Sequence, residues 1–133
     1  MQMEIEHTSD KDVVRKAREA HNVPFQVKIG DKVFAVEITS WEARRRVSGW
    51  ASGYVSTSCG GGNPTLVIES ERVYWLVPVV LTRQGIGVVG EVGVVELNAQ
   101  HGDMIVSEAL AETMQANALK LVTEIKEKQL TNA

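Results

Sequence analysis

The sequence predicts an α+β protein in which a curved antiparallel β-sheet packs against a long C-terminal helix and follows an N-terminal αββα segment. Short apolar runs separated by small turn residues indicate β-hairpins. Residues 107–133 instead repeat apolar side chains at helical spacing. The length suits a single domain, 1–133, with its own core, and a glycine-rich joint is predicted at 58–64.

The αββα segment begins with a helix predicted after Ser9, which Pro24 ends because the residue before a proline disfavours helical backbone. A hairpin follows, with its two-residue turn at Gly30 and Asp31. Its register brings large apolar residues together, and such pairing determines the register of a hairpin. The predicted pairs are Val27 with Phe34 and Phe25 with Val36.

A second helix is predicted over the stretch WEARRRVSGW, with Ser40 as its N-cap. Trp41 and Val47 are expected to face inward and the three arginines at 44–46 outward. Glycines near the end of the stretch weaken the helix there.

The second half of the chain is predicted to consist mostly of strands. A turn at Ser70 and Glu71 joins two of them, GIGVVGEVGVVEL forms a third and DMIV a fourth. Ser107 then caps the C-terminal helix. The apolar stripe of that helix is predicted as Leu110, Met114, Ala118, Leu121 and Ile125, widened by Leu119 and Val122.

The strands at 73–81 and 86–97 are apolar on both faces. In an antiparallel sheet with one solvent-exposed face, apolar and polar residues instead alternate along each strand. Both faces therefore need cover. Two sources stay open: the αββα segment packs on the second face, or a second copy of the chain does. Pro78 lacks an N–H for the ladder, so it predicts an edge position or a bulge in its strand.

Composition restricts the classes of function. A single cysteine excludes an internal disulfide, and the polar start MQMEIEHTSDKD has no signal-peptide core, so a reducing cytoplasm is the predicted location. No apolar run reaches the roughly 18 residues of a membrane span, so no membrane partner is expected. The net charge of −3 argues mildly against general nucleic-acid binding.

The segment STSCGGGNPT contains the single cysteine, Cys59, beside three glycines. A nucleophilic cysteine needs a helix N-terminus or a histidine partner, and this loop leads into a strand instead. A phosphate loop needs a lysine and a following helix. His101 and Asp103 lie in a predicted turn without metal-ligand spacing. The sequence therefore predicts an inert cysteine in a connection, no metal and no cofactor.

The best hint of a nucleic-acid or acidic-partner contact is the run Arg44, Arg45 and Arg46 between Trp41 and Trp50. Arginines neutralise phosphates and tryptophans stack on bases. Three successive helical residues, however, spread around a helix instead of forming one stripe. A solvated helix with salt bridges explains the same pattern, and both interpretations stay open.

Glu91 lies mid-strand in VVGEVGVV, on the face that strict alternation gives to Gly93 and Val95. Buried carboxylates are costly unless paired, so one in an apolar strand can mark a site. A candidate pocket is therefore predicted on the curved sheet near Trp75, Glu91 and Gly93. The alternative is an ion pair between Glu91 and Arg83 or the arginine run.

Residues 73–105, VYWLVPVVLTRQGIGVVGEVGVVELNAQHGDMI, resemble PepSY-type and related cystatin-like modules. The common features are an aromatic and valine-rich strand, a glycine-broken strand and a small-residue turn before a short strand. Asn98 and His101 stand where those modules typically carry aspartate and threonine. The stretch is also similar to small bacterial accessory proteins, some of them antitoxin-like. The resemblance implies a fold and transfers no catalytic residue.

Together these observations favour a cytoplasmic, non-enzymatic binding or interaction protein that acts as a homodimer, with room for a further protein partner. An antitoxin-like or nucleic-acid-associated regulator that uses Arg44–Arg46 is the first alternative. A small enzyme that uses Glu91 or Cys59 is the second.

Overall fold

The structure is a computed structural model that describes residues 22–131, so the helix predicted after Ser9 lies outside the described residues. The described chain is α+β, with a curled antiparallel sheet and a long C-terminal helix, as the sequence predicts. Its elements in chain order are β1 (Phe25–Ile29), β2 (Lys32–Val36), α1 (Ser40–Tyr54), β3 (Cys59–Gly61), β4 (Thr65–Glu69), β5 (Arg72–Arg83), β6 (Gly87–Asn98), β7 (Met104–Ile105) and α2 (Glu108–Thr131).

Strands β1 and β2 form a separate two-stranded sheet in the predicted register. Phe25 lies opposite Val36, and Val27 lies opposite Phe34. Phe34 and Val36 are buried, whereas Val33 on the other face is exposed. The pairing of large apolar residues therefore predicted both the register and the buried face.

The N-cap of α1 is Thr39 and not Ser40, so the predicted cap is wrong by one residue. The Oγ1 atom of Thr39 accepts a hydrogen bond from the backbone N–H of Glu42 at 3.1 Å. Both residue types are good N-caps. Thr39 is buried and Ser40 only half-buried, and Thr39 is the residue that caps the helix.

The buried face of α1 differs from the predicted one at Trp41, which is exposed over 54% of its surface. Val47 is buried and the three arginines are exposed, as predicted. Trp41 lies about 200° around the helix from Ala43, which faces the core. The buried residues of α1 are Ala43, Val47, Trp50 and Ala51.

The larger sheet has five strands in the order β3-β5-β6-β7, with β4 also paired to β5. Strand β5 is central: β4 and β3 pair with successive parts of one side, and β6 pairs with the other side. The predicted turn after Glu69 is confirmed, because Glu69 lies opposite Arg72 and Ile68 opposite Val73. All pairings are antiparallel.

Pro78 lies in the central strand, so its predicted edge position is wrong. Its carbonyl accepts a hydrogen bond from the N–H of Gly62 at 2.7 Å. The N–H and C=O of a strand residue point to the same neighbour, so the missing N–H of Pro78 faces the break between β3 and β4. The hydrogen bonds between β5 and β6 are therefore not affected by Pro78. The two bulges near Pro78 lie in β6 and not in its own strand.

The predicted glycine-rich joint at 58–64 contains a short strand at residues 59–61. These residues form β3 and pair with Val79–Leu81. The N–H of Gly61 donates to Ser48 Oγ at 2.8 Å, and its carbonyl accepts from Arg44 Nε at 3.0 Å. A Cβ atom at Gly61 would lie 2.7 Å from the Arg44 carbonyl oxygen, so glycine allows β3 to pack directly on α1.

Ser107 caps α2 as predicted, because its Oγ accepts from the N–H of Leu110 at 3.0 Å. The apolar stripe of α2 is narrower than predicted. Met114 and Ala118 are buried, but Leu119 is 68% exposed. Ala111, one helical turn before Met114, is also buried, so the buried residues of α2 form one narrow line along the helix.

The hairpin β1–β2 and both helices pack on one face of the five-stranded sheet. Helix α1 lies over β3 and β5, α2 lies over β6, and Phe34 and Val36 join the same core. Trp75 Nε1 donates to the Ile38 carbonyl at 2.7 Å and ties β5 to the segment before α1. The described part of the αββα segment therefore does not cover the second face. The residues of β5 on the covered face are Val73, Trp75, Val77, Val79 and Leu81.

Candidate interaction surface

Two bulges in β6 determine which of its side chains reach the second face of the sheet. Val79 pairs with Gly93, but the next residue of β5, Val80, pairs with Glu91. Val92 is thus an extra residue in β6. Its side chain is only 2% exposed, and a Cβ at Gly93 would lie 2.6 Å from the Cε of Met114. Val92 and Gly93 both face the core, so the residues of β6 directly before Val92 lie on the faces opposite to those that strict alternation predicts.

The bulge places Glu91 on the face opposite Gly93, so the predicted common face is wrong. Glu91 is exposed, whereas Trp75 is buried among core residues and Gly93 lies under Met114. The structure therefore does not bring the predicted pocket residues together. Within residues 22–131, no ion pair joins Glu91 to Arg83 or to the arginine run.

The face opposite the helices is here named the open face. Its centre is apolar, with half-buried side chains on β5 and more exposed ones on β6, where Val94 is 42% exposed and Val88 65%. Pro78 lies directly opposite Val94, which makes the apolar strip continuous across the two strands. The residues of the open face are Tyr74, Leu76, Pro78, Val80 and Thr82 of β5 and Val88, Glu91, Val94, Glu96 and Asn98 of β6.

One end of the open face carries a closed polar network. Tyr74 donates its hydroxyl hydrogen to Glu69 Oε2 at 2.8 Å, and this bond raises the pKa of Tyr74. The Arg72 guanidinium donates to Glu96 Oε2 at 2.8 Å and lies 4.7 Å from the centre of the Tyr74 ring. Arg72 and Glu96 form an ion pair at this end, so the apolar strip borders a partly neutralised rim.

Each of the three arginines of α1 is held by a hydrogen bond within the chain. Arg45 and Arg46 both bind Glu42, at 3.2 and 3.1 Å, and these hydrogen bonds hold the pKa of Glu42 below its usual value. Arg46 also donates to the Gly102 carbonyl at 3.4 Å. Arg44 donates to the backbone of β3. This arrangement fits the interpretation as a solvated, salt-bridged helix.

The two tryptophans that flank the arginines lie in different places. Trp41 is exposed, with the guanidinium of Arg45 5.3 Å from its ring centre. Trp41 and Arg44 border a cavity of about 450 Å³ with Pro64. Trp50 is 8% exposed at the other end of the helix, so the structure brings Trp41, Arg44 and Arg45 together without it.

Of the remaining candidate groups, Cys59 lies in the core, and His101 and Asp103 border the polar end of the open face with Tyr74 and Glu96. Cys59 is buried, and burial raises the pKa of its thiol, the opposite of what a nucleophile needs. His101 Nδ1 lies 3.3 Å from a carboxylate oxygen of Asp103. The described residues contain no group of three side chains that could hold a metal ion.

Sequence reasoning did not name Val80 and Val94 as site residues. The signal was present, because the apolar character of both strand faces required a second cover. Gly90 and Gly93 beside the bulge are its sequence signal, since a glycine inside a strand often marks a bulge, but they do not identify which residue is the extra one.

Comparisons with protein-family models, with curated proteins and with solved structures found no match. No helix in the described residues is long and apolar enough to cross a membrane. The functional interpretation therefore rests on the geometry of the open face and of the helix surfaces.

Proposed function

We propose that this chain is an interaction protein that acts as a homodimer, with the open face of one copy packed against the open face of the other. The observation that carries the proposal is the one-sided packing of the described residues, 22–131. The hairpin and both helices cover one face, while Leu76, Pro78 and Val80 lie on the other. These three side chains are half-buried within the chain, and with the exposed Val88 and Val94 they form a contiguous, partly exposed apolar strip. Contiguous apolar patches on a surface mark interaction sites.

A second copy suits the open face because the face is compatible with itself. Antiparallel sheets pack face to face about 10 Å apart, and a two-fold interface joins identical patches. A two-fold axis that lies between the two faces and runs across the strands places the Tyr74 end of one copy over the Thr82 end of the other. The apolar residues Pro78 and Val94 of both copies then meet near the centre of the interface.

The size of the open face is also sufficient. Strands β5 and β6 have 12 residues each, and a strand of that length spans roughly 40 Å. Together with β3 and β4 the face is roughly 15 Å wide, since neighbouring strands lie about 4.8 Å apart. Such a patch is roughly 600 Å² per copy, so two copies would bury about 1,200 Å² in total, the lower limit of specific interfaces of standard size.

Light scattering coupled to size-exclusion chromatography tests the proposal. The unchanged chain is expected to elute at twice its mass of 14.6 kDa at micromolar concentration. Val80→Glu, on the open face, is expected to shift it to a monomer, because each interface would bury two unpaired carboxylates. The matched control is Val33→Glu, an exposed strand valine outside the open face, which should leave the dimer intact. A monomeric unchanged chain would overturn the proposal.

A regulator that contacts nucleic acid or an acidic protein is the second candidate. Exposed Trp41 borders a cavity with Arg44, and the Arg45 guanidinium lies 5.3 Å from the centre of its ring, so a stacking surface lies next to positive charge. Anisotropy titration of a fluorescent single-stranded oligonucleotide tests it at two salt concentrations. Salt-sensitive binding that is lost in Arg44→Gln/Arg45→Gln and kept in Arg83→Gln would support this candidate, and the absence of binding would exclude nucleic acid.

An enzyme that uses Glu91 or Cys59 receives little support, because Glu91 is exposed and Cys59 is buried with a raised thiol pKa. The cytoplasmic location rests on the single cysteine. The resemblance to PepSY-type modules implies a fold only. Location and resemblance both stay predictions.

A further inference from the structure

We infer that a groove between the end of α1 and the start of α2 binds a cationic side chain, arginine or lysine, from an extended segment of a partner protein. The groove has a volume of about 640 Å³. It lies between two helices on the covered side of the sheet, so it is separate from the open face. This inference does not depend on the homodimer.

One wall of the groove is aromatic. Trp50 and Tyr54 lie one turn apart on α1, and their rings stack with centres 6.3 Å apart at an interplanar angle of 27°. Tyr54 is 66% exposed, so its ring is accessible. A guanidinium or ammonium group within about 6 Å of such a ring is attracted to its face.

The opposite wall is acidic. Glu108 and Glu112 lie one turn apart on α2 and therefore point to the same side of the helix. Both line the groove and both are exposed. None of the described residues that line it is basic. The charge of this wall is therefore available to a positive ligand.

The end of α1 adds to the preference for a cation. A helix C-terminus carries a partial negative charge, and the last turn of α1 contains no basic residue to neutralise it. The positive start of α2 opposes this effect, but Glu108 lies in the first turn and offsets it. Negative potential therefore dominates inside the groove.

The remaining contacts hold the groove open and suit a long side chain. Gln115 Nε2 donates to the Tyr54 carbonyl at 2.8 Å and fixes α2 against the end of α1. Val106 and Ala111 supply apolar surface between the two walls. Arginine and lysine bury their methylene stems on such surface and keep the charged group near carboxylates.

Nuclear magnetic resonance titration with a short peptide tests the inference. The probe is acetyl-Leu-Arg-Leu-Arg-Leu-amide, and the matched neutral peptide carries glutamine in place of arginine. The arginine peptide is expected to shift the amide signals of 50–54 and 107–115 and the Trp50 indole signal. The glutamine peptide is expected to bind at least about fivefold more weakly, as loss of one cation–π contact and one ion pair implies.

Two double variants identify the groups responsible. Glu108→Gln/Glu112→Gln keeps the shape of the wall and is expected to raise the Kd for the arginine peptide at least about fivefold. The control Glu71→Gln/Glu124→Gln removes two other exposed carboxylates and is expected to leave it unchanged. Equal affinity of both variants, equal binding of both peptides, or shifts confined to the open face would overturn the inference. Binding of the arginine peptide that persists in the monomeric variant Val80→Glu would show that the groove binds without the dimer.

Discussion

Val80 and Glu91 are cross-strand partners on the open face, while Val92, the residue after Glu91, is buried on the other side of the sheet. One extra residue in β6 makes both positions possible. The core receives an additional valine under the helices, and the open face receives a carboxylate at the border of its apolar strip. The same bulge thus supports the fold and shapes the proposed interface.

Removing the two γ-methyl groups of Val92 is expected to destabilise the fold far more than the same change at an exposed strand valine outside the open face. Val92→Ala should lower the free energy of unfolding by about 1–3 kcal/mol, because it leaves a cavity beneath α2. Val33→Ala, at a position of β2 that is 56% exposed, should change it by about 0.5 kcal/mol or less. Urea unfolding followed by circular dichroism measures both. Equal effects would contradict the assigned bulge.

Alanine at two glycines of the α1 region is expected to have opposite effects. Gly61→Ala should destabilise by about 1–3 kcal/mol, because its Cβ would press on the backbone oxygen of Arg44. Gly49→Ala, which meets no atom within 4 Å, should stabilise α1 by up to about 1 kcal/mol. Thermal unfolding at fixed pH measures the two shifts. Tolerance of alanine at Gly61 would show that β3 does not pack on α1 as described.

The ion pairs of Glu42 are expected to make stability depend on pH under acidic conditions. Hydrogen bonds from Arg45 and Arg46 lower the folded-state pKa of Glu42 below its ordinary value of 4.5. Its contribution is therefore complete above about pH 4.5 and is lost as the pH falls through the lower folded-state value. Glu42→Gln should cost about 0.5–1 kcal/mol at pH 7 and little near pH 2. A difference that is constant with pH in urea unfolding would contradict this.

The thiol of Cys59 is expected to react slowly with Ellman's reagent at neutral pH. The side chain is 5% exposed, and burial raises the pKa of the thiol. Labelling should therefore be limited by opening of β3 and should accelerate strongly in urea. Labelling of the folded chain as fast as that of the unfolded chain would return Cys59 to the set of candidate nucleophiles.

Local pattern predicted much of the fold because the decisive residues lie close together in the sequence. The β1–β2 register followed from apolar pairs around a glycine turn, and Ser107 marked the start of α2. Trp41 was placed inward because a large aromatic residue suggests a core contact. The buried residues of α1, at 43, 47, 50 and 51, lie on the opposite side of the helix from Trp41.

The candidate site was harder to predict, because the glycines around Glu91 indicate a bulge without showing which residue is the extra one, and that residue decides which face its neighbours occupy. Strict alternation placed Glu91 beside Gly93, and a single extra residue at Val92 reversed that assignment. The strand character of Cys59–Gly61 was missed for a related reason. Gly61 in this strand contacts Arg44 and Ser48 of α1, and such a contact between residues far apart in the sequence leaves no local pattern.

The central claim is that two copies pack through their open faces. An isotope-filtered nuclear Overhauser experiment on a mixture of labelled and unlabelled chains tests it most directly. The account predicts intermolecular contacts to the methyl groups of Leu76, Val80 and Val94, and none to Val77 or Val95 in the core. Intermolecular contacts restricted to the helix surfaces, or no intermolecular contacts at millimolar concentration, would contradict it.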